Sequence, residues 1–339
     1  MSRDRQGLLL GLLGVLAFSF SLPATREAVP VFGPTMVSLG RAEVAAALAG
    51  IVLLVRREHF PGRRHLRSLL LIGAGVVVGF PVLTSLALRN VPSAHGAVVI
   101  ALLPAATAVF AVILAREQPP RQFWLAVAVG TIAVLGFAAI QGAGTPRWDD
   151  LLLLGAVVAA AFGYAEGGRL SREIGGWRVI SWSLVVSAPL LLPFVIADLP
   201  RQSWDADWSE WLGLGYVSIV SMYVGFLAWY RGLALGGIAR VGQLQLAQPV
   251  LTLIWSWLLL GESIGWAEVM AGLVIVASVA LTRRYRYDVG SSITTDRPGL
   301  KAGAHRDKTA EADSLPQTRR IRSRPSPDSH SGCPPFNDR

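Results

Sequence analysis

Two charged side chains stand inside an otherwise apolar run, Arg41 and Glu43 of "LGRAEVAAALA". A guanidinium in such a place can receive an anionic group, or a carbonyl or acid on another helix. A carboxyl there can take up and release a proton. Bare burial of either charge is costly, so each does such work or forms a structural interhelical ion pair. Two residues apart on a helix is about 200°, so they do not pair with each other. Arg41 shares a rough face with Thr35 and Ser38. A second set lies in "QLQLAQPVLT", residues 243–252. On a helix Gln245, Gln248, Thr252 and Trp255 fall on one stripe, while Gln243 points elsewhere. Polar groups avoid lipid tails, so the stripe faces protein or a wet cavity. It either contacts a substrate, with Pro249 loosening the backbone beside it, or holds helices together at about 0.6–2 kcal/mol per contact.

The remaining candidates are weaker. His95 titrates near neutral pH in an ordinary setting, which makes it an alternative proton-coupling group; an interface role is the plainer reading. Trp229 and Tyr230 can stack on a substrate or simply pack, and Ser218, Ser221, Gly225 and Trp229 form one stripe. Glu166 beside Arg169 reads as a surface ion pair, and Glu117 and Glu262 as helix-end and loop partners. Gly155, Ala159, Gly163 and Gly167 make a small-residue seam for close helix packing. The sequence holds no HExxH, no CxxC and no GxxxxGK[ST], so neither a metal, a cofactor nor nucleotide hydrolysis is expected, and no catalytic residue is assigned.

The elements that position these residues follow from composition. The chain has 339 residues, 53% hydrophobic and 16% charged, with a mean hydropathy of +0.49. A soluble domain carries about 25% charge. Ten apolar segments can be laid out: 7–24, 31–55, 67–88, 94–115, 122–141, 150–168, 178–197, 211–231, 240–260 and 266–282. Each is near the roughly 20 residues that cross a bilayer as helix, and they do not alternate as barrel strands do. The expected class is an all-α, multi-pass membrane protein. The first segment carries Arg3 and Arg5 like a signal peptide, but its core is long for one, and an uncut helix is the better reading. The net charge of +9 does not imply nucleic acid, because the basic residues sit in short blocks between apolar runs. With the N-terminus inside, the inner segments hold 17 arginines against 4 in outer loops (Arg26, Arg89, Arg147 and Arg201), and no lysine precedes residue 301. That bias places both termini on the cytoplasmic side of the cell membrane. Residues 287–339 are polar and Pro/Ser-rich and read as a disordered cytoplasmic tail. Its "RRIRSRP" can touch anionic lipid, though a solvated charge run is the simpler reading. Cys333 is the only cysteine, so no internal disulfide can form.

An internal repeat relates the halves. "LLPAATAVFAVILARE" starts at Leu102 and "LAQPVLTLIWSWLLLGE" at Leu246; Pro104 and Pro249, Glu117 and Glu262, Thr107 and Thr252, and Ala94 and Ala239 are all offset by 145. His95 and Arg240 are also equivalent, while Gln245 and Gln248 correspond to Ile100 and Leu103. Five segments per half is an odd number, so the second half must be inserted upside down. The loop "AREQPPR" after the first copy carries two arginines and the loop "GESIGWAE" after the second none. Inverted repeats of this kind imply a transporter with its substrate site between the halves near the midplane.

The proline-and-glutamate pattern of the fourth and ninth segments, the arginine of "LGRAEVAAALA", and the stretches "GYAEGGRLSREIGGW" and "GFLAWYRGLALGGIARVGQLQLAQPVLTL" resemble the EamA-type domain of the drug/metabolite transporter superfamily. The resemblance covers about residues 7–286. It implies ten helices around a central cavity, working by alternating access, with a first repeat at 7–142 and a second at 148–286 after a short cytoplasmic N-terminus at 1–6. The expected function is secondary transport, with export of a small metabolite or drug-like molecule as the direction. The expected partners are then a small-molecule substrate, the lipid bilayer, protons or another coupling ion, and a second copy of the chain as a homodimer, with no nucleic acid. A membrane-embedded enzyme would need clustered His, Asp or Glu at the interface, of which there are few; a non-transporting scaffold or sensor is the third class.

Overall fold

The computed structural model describes residues 3–91, 93–121, 123–125, 127–129, 131–132, 148–202 and 204–260. All regular structure among them is helical. Most of the fifth apolar segment, the whole of the tenth, Glu262 and the 287–339 tail lie outside the described residues.

The first helical run extends from Arg3 to Val55. It comprises α1 (Arg3–Ser19), α2 (Ser21–Thr35), a π-helical turn (Met36–Gly40) and α3 (Arg41–Val55). At 53 residues it is more than twice the length one passage requires. It is broken at Gly33, whose φ of 69° and ψ of 165° interrupt the helix at a conformation glycine adopts without a Cβ penalty. Then come α4 (Arg63–Ile72), a π-helical segment (Gly73–Gly79) and α5 (Phe80–Ala87), followed by α6 (Ser93–Ile100) and α7 (Leu103–Ala115). The later part contains α8 (Trp148–Ile174), α9 (Gly176–Asp198) and α10 (Trp208–Gly215). A π-helical segment (Tyr216–Val224) leads into α11 (Gly225–Gly236) and α12 (Ile238–Gly242). A 3₁₀ stretch (Gln243–Ala247) then precedes α13 (Gln248–Leu260). Among the described residues, five runs are long and apolar enough to cross a membrane.

Close helix packing comes from small residues. In α1, Gly7, Gly11 and Gly14 face α11 and α12: a Cβ on Gly7 would stand 2.5 Å from the Gly236 nitrogen, and one on Gly232 would stand 2.7 Å from the Gly11 nitrogen. Backbones approach this closely only where no side chain intervenes. The seam of α8 works the same way, with Gly163 against Gly75 and Val76 of the first π-helical segment after α4, and Gly167 against the Tyr230 ring. The outer surface is apolar, with Leu54, Val55, Ile113 and Leu125 well exposed, as a helix bundle whose solvent is lipid requires.

The fourth and ninth predicted segments are each broken. α6 stops at Ile100 and α7 starts at Leu103, with Pro104 in its first turn. α12 gives way to the 3₁₀ stretch, and α13 starts at Gln248 with Pro249 next. A proline has no N–H to donate and clashes with the carbonyl one turn back, so it starts a new helical segment rather than continuing the old one. The two breaks occupy corresponding positions under the 145-residue offset.

Candidate functional site

The two breaks face a narrow internal cavity. One part is walled by Arg41, Gln248, Ser21, Ser221, Tyr164, Phe18 and Phe226. A second part is lined by Gln245, Gln248, Thr252, Ile100 and Leu103; Leu22 and Gln248 belong to both. The free room between these side chains holds roughly one water molecule. A metabolite-sized molecule does not fit the cavity in this conformation.

Irregular backbone converges on this place. Arg41 directly follows the Met36–Gly40 π turn, Val76 belongs to the Gly73–Gly79 segment, Ser221 and Met222 to the Tyr216–Val224 segment, and Gln245 to the 3₁₀ stretch. Non-α turns leave backbone groups out of the regular ladder and recur at functional sites. In a membrane they are tolerated where they line a cavity or are buried in protein.

The expected residues separate into groups. Arg41 is 3% exposed and lines the cavity. Its Nε has no hydrogen-bond partner, and among the described residues no carboxylate pairs with it. Gln245 and Gln248 are buried. Both amide atoms of Gln245 and the Oε1 of Gln248 are unpartnered. The Tyr164 hydroxyl lies close to Gln245 and within electrostatic reach of Arg41, without closing a hydrogen bond of ordinary geometry on Gln245. The rest of the amide stripe is tied to a neighbour. Thr252 Oγ1 donates to the Ser19 carbonyl at 2.7 Å and Trp255 Nε1 donates to Ser19 Oγ at 2.9 Å. Gln243 Nε2, off the stripe, donates to the Pro104 carbonyl at 3.2 Å.

Glu43 does not join the cavity wall. It sits half-buried on another face of α3, with its Oε1 enclosed and unpartnered. Trp229 and Tyr230 are fully buried one layer behind. The Trp229 ring lies 5.4 Å from Tyr164 and 5.9 Å from Phe18, and the Tyr230 hydroxyl donates to the Gly163 carbonyl at 3.1 Å. These two rings back the aromatic wall rather than form it. His95 lies in α6, and its side chain is outside the described residues.

Sequence reasoning did not single out Tyr164, Phe18, Phe226 or Ser21 as wall residues. Ser21 and Ser221 share a 2.7 Å hydrogen bond that joins α2 to the π-helical segment across 200 residues of sequence. Tyr164 had a signal, as a large polar-tipped ring inside the "GYAEGG" run of small residues. Its direction depends on how α8 is rotated, which helical period alone does not set.

Ion pairs tie the arginine-rich segments together at one end of the bundle. Arg240 meets Asp4 at 3.2 Å, Arg172 meets Glu117, and Arg178 grips Glu58 at 2.6 and 3.0 Å. Glu166 pairs with Arg169 at 2.7 Å, and Arg169 also reaches Glu173 at 2.8 Å. The Glu58 carboxyl, in the loop between α3 and α4, is held below its ordinary range chiefly by the Arg178 hydrogen bonds.

Known proteins share this plan. The pattern of the EamA-like transporter family matches residues 5–139 and again 147–284. The uncharacterized transporter YdeK of Bacillus subtilis is 49% identical over 286 residues, 84% of this chain and 99% of that protein. A probable terminal-alkyne amino-acid exporter of Streptantibioticus cattleyicolor is 27% identical, covering 80% of this chain and 93% of its own length. The aromatic amino acid exporter YddG of Ancylobacter novellus is also 27% identical, over 74% of this chain and 88% of its own. A solved crystal structure superposes with a TM-score of 0.65 at 19% identity, covering 83% of this chain and 99% of its own, and so has the same fold. The chain belongs to the EamA-like transporter family and is a multi-pass membrane protein built for transport.

Proposed function

We propose that this chain is a secondary transporter that exports a small organic molecule across the cytoplasmic membrane by alternating access. Its ten spans form two inverted five-helix repeats, 7–142 and 148–286, with both termini in the cytoplasm and the 287–339 tail dispensable. The observation that carries the reading is the convergence of two helix breaks, related by the 145-residue offset, on one cavity with unpartnered buried polar groups. Discontinuous helices at the interface of inverted repeats are where such proteins hold substrate. Relatives whose names describe exporters of amino acids support the outward direction. Arg41, Gln245 and Gln248 contact the substrate. Thr252 steadies their helix against Ser19, and Trp229 and Tyr230 support the aromatic wall. Glu43 is the proton-coupling acid, with His95 next in line.

The test is flux from proteoliposomes of the purified full chain loaded with a cell metabolite extract. A transporter depletes particular compounds from the lumen unchanged and responds to a pH gradient. No flux above protein-free vesicles would overturn transport, and chemical conversion of a lumenal compound would point to an enzyme. If Glu43→Gln leaves uphill transport and its pH profile unaltered, Glu43 is not the coupling acid.

A further inference from the structure

We infer that a lateral groove on the lipid-facing side of α1 and α2 binds an ammonium-bearing phospholipid, with one acyl chain along the groove and the ammonium on Glu27. The site is separate from the central cavity, and only the assignment of its Glu27 end to the outer leaflet rests on the orientation proposed above.

The groove has two adjoining stretches. The one toward Glu27 has a free volume of about 650 Å³, with Phe20, Glu27, Ser209, Trp211 and Tyr216 in its wall. The other, of about 350 Å³, continues past Leu13, Leu16 and Trp255. Phe20, Tyr216 and Val220 belong to both. Leu13, Leu16, Leu212 and Ile219 in these walls are exposed, so lipid reaches the groove from the side. From Leu13 to Glu27 the helical rise is about 20 Å, somewhat more than the ~15 Å half-thickness of a bilayer core. Those are the dimensions of one acyl chain and the beginning of its headgroup. Unlike the central cavity, the groove has room for this occupant in the present conformation.

Its polarity is graded. The midsection offers no free polar group, because the Tyr216 hydroxyl donates to the Ala17 carbonyl at 2.9 Å and Trp255 Nε1 donates to Ser19 Oγ at 2.9 Å. Both rings stand edge-on to Phe20, with centroids 4.7 and 6.0 Å away. An occupant must be apolar over this length. At the far end, Glu27 is the only charged side chain among the described lining residues. It is partly buried and has no hydrogen bond or ion pair among the described residues. The adjacent Arg26 is committed to the Leu88 and Arg89 carbonyls at 2.5 and 3.2 Å. Asp205 and Asp207 precede α10, and Glu210 stands in its first turn.

These features select the headgroup. A carboxylate accepts hydrogen bonds and does not donate them, so its complement is a cation with N–H groups, and a charge-assisted bond of that kind is among the stronger ones. Phosphatidylethanolamine supplies such a cation. Phosphatidylglycerol brings only negative charge to an end of the groove that is already acidic.

The test is photo-cross-linking of the full chain in nanodiscs that contain equal amounts of phosphatidylethanolamine and phosphatidylglycerol with the same acyl chains. A benzophenone amino acid replaces Leu16, at the apolar end of the groove, and mass spectrometry identifies what it captures. Ethanolamine adducts should exceed glycerol adducts about tenfold. The same probe at Leu190, exposed on α9, should capture the two lipids about equally. Glu27→Gln should bring the Leu16 ratio close to one. Should that variant not fold, Ile219→Trp fills the groove and should lower the yield of both adducts at Leu16 without altering the yield at Leu190. The inference is overturned if the two lipids are captured equally at Leu16, if a folded Glu27→Gln protein keeps the preference, or if Ile219→Trp leaves the yield unchanged. Capture of residues 266–282 or of a second copy of the chain in place of lipid would also overturn it. None of these outcomes bears on flux, so transport stands or falls separately.

Discussion

Glu117, just beyond the end of α7, accepts the backbone N–H of Ile238 at 2.9 Å, and that of the adjoining Ala239 at 2.8 Å. Its carboxylate thus caps the start of α12 and fastens the element that follows Gly237 to the equivalent broken helix of the other half. Arg172 holds the same carboxylate from α8. A helix start has N–H groups without internal partners, and a carboxylate there satisfies them and complements the local positive potential.

Glu117→Ala should therefore loosen this end of the bundle by about 1–2 kcal/mol. Hydrogen exchange at residues 238–242 should rise several-fold, while residues 176–198 stay protected. Unchanged exchange at 238–242 would show that packing alone holds α12.

The amide-rich stretch should split by function. Gln243→Leu and Thr252→Val remove hydrogen bonds to the Pro104 and Ser19 carbonyls and should lower thermal stability by about 0.6–1.7 kcal/mol each. Gln245→Leu and Gln248→Leu remove groups that have no protein partner, so the fold should tolerate them or gain slightly, while ligand affinity falls. Thermal unfolding and ligand binding of the four variants, measured in parallel, check this. Equal stability losses at all four positions would make every one of these amides structural.

Glu58 predicts a pH effect outside the membrane. Arg178 lowers its folded pKa below the ordinary value of 4.5. A depressed carboxylate adds stability that is complete above the unfolded pKa and disappears as pH falls through the folded one. The pair should therefore contribute fully at pH 6–8 and lose its effect below about pH 4.5. In detergent, Glu58→Gln should lower the midpoint of thermal unfolding slightly at pH 7, and the difference from the parent should vanish toward pH 3. A difference independent of pH would mean that the loss is one of packing.

Gly167→Ala tests the seam of α8. The added methyl would stand 2.3 Å from Tyr230 ring carbons, and Tyr230 is fixed by its hydrogen bond to the Gly163 carbonyl. Overpacking of this kind costs about 1–3 kcal/mol, so the yield of monodisperse protein should drop sharply. By contrast, Gly215→Ala adds a methyl with nothing within 4 Å and should be silent. Size-exclusion profiles of the two variants decide the matter.

What the sequence determined by itself was the kind of solvent and the kind of element. Long apolar segments with arginines between them can satisfy their backbone in lipid only as helices. Pro104 and Pro249 stood out in the sequence as repeat positions 145 residues apart inside segments read as unbroken, and the structure shows that each begins a new helical segment, as a proline's local geometry favours. Arg41, Gln245 and Gln248 drew attention as polar groups in an apolar setting, and that too is a local property. Only the tertiary structure decided what each group faces. Helical period placed Gln245, Gln248, Thr252 and Trp255 on one stripe, yet two of them reach Ser19 while the two amides remain unpartnered. The 3₁₀ stretch ends between Gln245 and Gln248, and a change of helical pitch re-aims side chains that a uniform α-helix would align. Trp229 and Tyr230 fell behind the wall and Tyr164 came forward into it, because the rotation of α11 follows from the close approach of Gly232 and Gly236 to Gly7 and Gly11 of α1, and that of α8 from Gly163 against Val76 and Gly167 against Tyr230. Such contacts join residues a hundred or more positions apart, and a pattern read along one helix carries no information about which neighbour will fill its face.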